Sequence, residues 1–162
     1  MKYFKDICIF CMLISLCSSC SVQEVPTMDL ETWSMMLKPQ EFDVTKARAY
    51  KYDFDIKDNE GYNYLGAAAA HGNSDALRFL LGSFLVSDKH LNHQSDVFKT
   101  TPIISAVMSG DLESCVILIE YDANIYIDNF MGKNAYEIAE LMGKDDILKI
   151  MIQHKKINDK SL

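Results

Sequence analysis

Residues 101–120 read Thr-Pro-Ile-Ile-Ser-Ala-Val-Met-Ser-Gly-Asp-Leu-Glu-Ser-Cys-Val-Ile-Leu-Ile-Glu, with apolar positions at helical spacing on both sides of Gly110. The pattern predicts two short helices. Thr101 caps the first, Pro102 suits its first turn, and Gly110 supplies the left-handed conformation that ends it. In the second helix Leu112, Cys115, Val116, Leu118 and Ile119 form an apolar stripe. A hairpin this short cannot bury that face alone, so the chain must supply neighbours.

Those neighbours occur at regular offsets. Downstream, residues 134–143 followed by Ile147, Leu148, Ile150 and Met151 repeat the pattern with an offset of 33, Asn134 matching Thr101 and Gly143 matching Gly110. Upstream, residues 63–72 followed by Leu77, Phe79, Leu80 and Leu81 repeat it with an offset of 38, so one connection holds five extra residues. A turn and two helices at a period of 33 is the signature of a solenoid.

The pattern resembles the ankyrin repeat, over residues 58–152. The Thr-Pro-Leu-His start of that family falls on Asn63-Tyr64-Leu65-Gly66, Thr101-Pro102-Ile103-Ile104 and Asn134-Ala135-Tyr136-Glu137, and only the middle copy keeps Thr-Pro. Its turn Asp and Gly fall on Asp58 and Gly61, Asp96 and Lys99, and Asn129 and Gly132. Its inter-helix glycine falls on Gly72, Gly110 and Gly143, and its small helix residues on Ala68, Ala69, Ala106 and Ala139. Asp122-Ala123-Asn124-Ile125 resembles the family's Gly-Ala-Asp-Val loop. The resemblance implies an all-α ankyrin-repeat solenoid of three full repeats plus an N-terminal cap.

The start of the chain has a different character. Lys2 and Lys5 precede an apolar run over residues 7–16 and then Cys17-Ser18-Ser19-Cys20, which reads as an export signal too short for a bilayer anchor. Small residues directly before Cys20 resemble a bacterial lipobox, although Cys17 stands where that motif usually has Leu. The resemblance implies residues 1–19 as a lipoprotein signal peptide and Cys20 as the lipidated N-terminus. It further implies a bacterial envelope protein without intramolecular disulfides, anchored in the outer membrane and facing the periplasm.

Residues 20–30, with Pro26, read as a tether, and residues 31–155 as the repeat domain. Within it, Trp33, Met35, Met36 and Leu37, then a helix begun near Asp43 or Thr45, read as a degenerate capping repeat, which solenoid ends require. Phe84, Leu85 and Val86 extend the second helix of the first full repeat, and residues 156–162 form a polar tail.

Charge narrows the function. The chain carries 16 Lys and Arg against 23 Asp and Glu. Its basic residues are scattered except near the C-terminus, which argues against nucleic acid as a partner. No nucleophile elbow, phosphate loop or His-Glu-x-x-His motif is present, so the chain reads as a non-enzyme without cofactor. His90 and His93 have helical-turn spacing, but no Cys or carboxylate set completes a metal shell. Cys115 sits at a core position matched by Leu77 and Leu148 and reads as a small hydrophobe.

A binding surface remains. On the ankyrin alignment the projecting turns carry Asn59, Tyr62, Phe98, Lys99, Phe130, Met131 and Lys133, and the groove side of the first helices carries His71, Met108, Ser109 and Met142. Large apolar side chains on turns suit contact with a protein partner. The reading is a lipid-anchored module that binds a partner protein, as an immunity or inhibitor protein, with an envelope scaffold or a catalase-associated role in oxidative defence as the alternative.

Overall fold

The computed structural model describes residues 24–37, 42–83 and 86–158; the signal segment and Cys20 lie outside them. The described residues form nine helices: α1 (Leu30–Met36), α2 (Val44–Ala47), α3 (Tyr64–Ala70), α4 (Ser74–Leu81), α5 (Asp88–Leu91), α6 (Pro102–Ser109), α7 (Leu112–Glu120), α8 (Ala135–Leu141) and α9 (Asp145–Asn158). The N-cap of each first helix satisfies an orphan amide. The side chains of Asn63, Thr101 and Asn134 accept from the N–H groups of Gly66, Ile104 and Glu137. Asn73 and Asp111 do the same for α4 and α7.

Helices α3, α6 and α8 pack side by side in one layer, and α4, α7 and α9 form a second layer behind them. The close approach of α3 and α6 follows from Ala67, Ala68, Ala69 and Ala106, whose side chains leave the backbones near each other. Leu77, Leu80, Leu118, Ile147 and Met151 fill the space between the layers. Cys115 is fully buried among them, and burial pushes its thiol up to about 12, so at neutral pH it is a packed thiol rather than a nucleophile.

The N-terminal cap departs from the expected tether. Residues 26–30 are docked: Met28 N–H donates to Lys51 C=O at 2.8 Å, Lys51 N–H donates to Pro26 C=O at 2.9 Å, and Thr27 bridges Lys51 in parallel. Met28 is fully buried, and its carbonyl accepts the Tyr64 hydroxyl. The correction has a simple cause. A fully buried Met side chain is worth about 1.5–3 kcal/mol, enough to order a short segment that has no periodicity of its own. Trp33 is also fully buried, meeting Phe42, Tyr52 and Tyr64 edge-on at 5.6–5.7 Å while its Nε1–H donates to Tyr64 C=O. Such edge-to-face pairs add about 0.5–1.5 kcal/mol each beyond area burial.

Two further boundaries differ from the sequence reading. Helix α4 stops at Leu81 with Gly82 as its C-cap, and the connection contains the separate helix α5; of the extension expected over Phe84, Leu85 and Val86, Val86 is not helical and the other two lie outside the described residues. Helix α9 runs to Asn158, into the stretch expected as a polar tail.

Candidate protein-binding face

Three turns precede the first-layer helices, and the backbone joins them into a ladder. Glu60 C=O accepts from Asp96 N–H at 3.1 Å and Val97 N–H at 3.3 Å, and Phe98 C=O accepts from Phe130 N–H at 3.1 Å. Each turn is also closed internally. Asp58 Oδ1 accepts from Glu60 and Tyr62 N–H, and Asn129 Oδ1 accepts from Met131 and Lys133 N–H. These bonds fix the backbone from which the turn side chains project.

The middle turn is built differently from the alignment. Asp58 N–H donates to Tyr62 C=O and Asn129 N–H to Lys133 C=O, each four residues apart, but in the middle turn Ser95 N–H donates to Thr100 C=O, five apart. Ser95, with its hydroxyl accepting from Thr100 N–H, therefore takes the closing role expected of Asp96. The five extra residues divide accordingly, four in the connection and one in the turn itself. Asp96, released from the turn, pairs instead with Lys57 at 3.3 Å.

Phe98 and Phe130 meet across the ladder with ring centroids 6.0 Å apart, yet remain 42% and 61% exposed. Met131 is 56% exposed beside them, and Lys99, Lys133 and Asn59 are exposed on the same row of turns. Tyr62 departs from that set. It is half-buried, its hydroxyl accepts from Thr100 Oγ1 at 3.2 Å, and its ring lies against Gly66, so it packs the junction of the first and middle turns. His71, Met108, Ser109 and Met142 are exposed at the far ends of the first-layer helices, about one helix length or roughly 10 Å from the tips. Leu141, 76% exposed and absent from the sequence reading, joins Met108 there. The signal was present in the offset of 33 between the two.

The loop histidines have local partners. His93 Nε2 lies 2.8 Å from Gly61 C=O, tying the connection to the first turn, and Asn63 Nδ2 donates to His90 C=O at 2.8 Å. His90 Nδ1 accepts from Ser87 N–H at 3.2 Å, its Nε2 is 3.6 Å from Asp55, and Phe54 lies against its ring. Among the described residues no group of three or more His, Cys, Asp or Glu side chains is placed to hold a metal ion. No described helix is long and apolar enough to cross a membrane.

Residues 83–161 match the family model described as "Ankyrin repeats (3 copies)". The fold is an ankyrin-repeat solenoid. Helices α3 and α4 precede the matched segment; their place in the stack rests on the shared turn, cap and left-handed glycine geometry and on packing against α6 and α7. Among curated proteins, the chain is 29% identical over 102 residues to Dauer abnormal formation protein 25 of Caenorhabditis elegans, covering 63% of this chain and 25% of that protein. It is 24% identical over 100 residues to DNA replication inhibitor plutonium of Drosophila melanogaster, covering 60% of this chain and 58% of the relative. The chain thus spans a quarter to somewhat over half the length of these relatives. Ankyrin repeats are non-catalytic scaffolds that bind protein partners, and the described residues are arranged as such a scaffold.

Proposed function

We propose that this protein is held at a bacterial envelope by lipid on Cys20 and binds a partner protein through its turn tips and the exposed ends of the first-layer helices. The observation that carries the reading is the Phe98–Phe130 pair, two large rings apposed on hydrogen-bonded turns and still about half exposed. A soluble surface gains nothing by displaying such a pair. A binding surface gains apolar anchors whose conformational cost is already met. Met131, Met108, Leu141 and Met142 extend the apolar character, while Asn59, Lys99, Lys133 and His71 supply a polar rim.

One similar protein is named as an inhibitor. The specific form of the reading is likewise inhibitory: the chain neutralises a toxic effector by covering its surface, in the periplasm and on the inner side of the outer membrane. The test is recovery of a partner from envelope extract by the chain 20–162 and by a Phe98→Ala/Phe130→Ala/Met131→Ala variant. Tyr62 is left intact because it packs the turn junction. Unaltered circular dichroism with loss of at least about tenfold in partner affinity is expected, since two or three anchors each contribute about 1–2 kcal/mol. Equal recovery by both chains overturns the reading. The anchor is tested separately, by the mass of the mature N-terminus and by whether Cys20→Ser moves the protein from the membrane to the soluble fraction.

A further inference from the structure

The docked N-terminal segment leaves the body of the protein at Pro26, and its hydrogen bond to Lys51 places that exit beside residues 44–51, Val-Thr-Lys-Ala-Arg-Ala-Tyr-Lys. This stretch holds three cations and no carboxylate in a chain of net charge −7. Lys46, Arg48 and Lys51 are all exposed. Lys46 has only a loose 3.8 Å contact with Asp43, and among the described residues Arg48 and Lys51 have no side-chain ion pair. Arg48 and Lys51 line a cleft of about 830 Å³ together with Asp75 and Arg78, the latter paired with Glu113 at 2.8 Å, so both arginines of the chain lie at one site. Half-exposed Val44 and Tyr50 on the same rim add an apolar component suited to a headgroup boundary.

We infer that this face rests on anionic lipid headgroups and thereby sets the orientation of the whole stack. The inference rests on lipid attachment at Cys20, which leaves six residue steps to Pro26, a reach of at most about 20 Å. Within one or two screening lengths of a negative surface, most of this acidic protein is repelled, and the face on which cations outnumber carboxylates turns inward. Each cation brought to such a surface favours contact by roughly fivefold. The orientation follows from the tether and the sign of the charge together, and it leaves the turn ladder free for its partner.

The test installs the anchor chemically, so it does not depend on whether the native chain is lipidated. In the chain 20–162 the cysteines are Cys20 and Cys115, and Cys115 is buried with its thiol pushed up, so a maleimide lipid couples at Cys20. The coupled protein is placed on vesicles of phosphatidylcholine alone or of equimolar phosphatidylcholine and phosphatidylglycerol, and amine acetylation is mapped by mass spectrometry. Acetylation of Lys46 and Lys51 should fall at least about fivefold on the anionic vesicles relative to the neutral ones, while Lys99 and Lys149 stay unchanged. An Arg48→Glu/Lys51→Glu variant should lose the protection at Lys46. Equal labelling on the two vesicles, protection of all lysines together, or protection that survives the double reversal would each overturn the inference. Failure of native lipidation would appear only in the Cys20→Ser fractionation and the N-terminal mass.

Discussion

Lys99 adopts φ 52, where its counterparts Gly61 and Gly132 have φ 84 and 65. A side chain in this region costs about 1–2 kcal/mol, and glycine's larger unfolded-state entropy offsets about 0.5–1 of that. Lys99→Gly should therefore stabilise the protein by about 0.5–1 kcal/mol, a rise of roughly 2–4 °C in melting temperature by calorimetry. Gly61 shows the opposite constraint. A Cβ there would sit 2.2 Å from the backbone nitrogen of Asp96, inside the hydrogen bond that joins the first two turns. Gly61→Ala should destabilise by more than about 1 kcal/mol in denaturant titration, because neither the φ nor the neighbouring backbone can accept it. Both positions were legible in the sequence, since the alignment marks residue 99 as the turn that lacks its glycine. The shift of the closing role from Asp96 to Ser95 was not. A one-residue widening leaves the outer offsets unchanged, and Asp, Ser and Thr all close turns through local hydrogen bonds.

At the scale of elements, the full helix pairs were readable because caps, glycines and apolar stripes agree at one offset, whereas the cap depends on contacts between segments with no shared period. Met28 and Tyr64 are 36 residues apart, and nothing in residues 24–30 announces the pocket that receives Met28. Helix α5 was invisible for a related reason, being four residues long and held by the His90 ring and the Ser87 cap rather than by an apolar stripe. The cap helices are short and lean on their capping aspartates. The Thr32 N–H bond holds the Asp29 carboxyl below its ordinary value, and the Lys46 and Thr45 N–H bonds do the same for Asp43. A carboxyl whose folded pKa is depressed contributes stability above its unfolded value of 3.8 and loses it as pH falls through the folded value. Acid should thus loosen α1 and α2 before the repeats. Trp33, the chain's one tryptophan, reports the event: its fluorescence should change between about pH 5 and about pH 2, and less so in Asp29→Asn/Asp43→Asn, which keeps the caps without the charge. Coincident loss of Trp33 signal and of total helicity in both proteins would show that the cap does not open separately.

At the scale of the molecule, the repeat built from α8 and α9 carries charge where the middle repeat is buried. Thr100, Ile104 and Val107 of the middle repeat are buried; the residues at the same positions one period later are Lys133, Glu137 and Glu140. Lys133 and Glu140 are exposed, and Glu137 is half-buried, closing a capping box with Asn134 and facing Lys133 at 3.8 Å. Burying these charges under a further repeat or a second copy of the chain would cost several kcal/mol, so the end face stays wet. Restoring the middle-repeat residues with Lys133→Thr/Glu137→Ile/Glu140→Val creates an apolar end in which each large side chain stands to gain about 1.5–3 kcal/mol on burial. That variant should self-associate in a concentration-dependent manner by sedimentation velocity, whereas Glu137→Gln/Glu140→Gln, which removes charge without adding apolar surface, should remain monomeric at the same concentrations. Association of the glutamine variant would assign the wet end to charge repulsion between copies. A monomeric apolar variant would instead mean that the geometry of α8 and α9, rather than their charges, closes the stack.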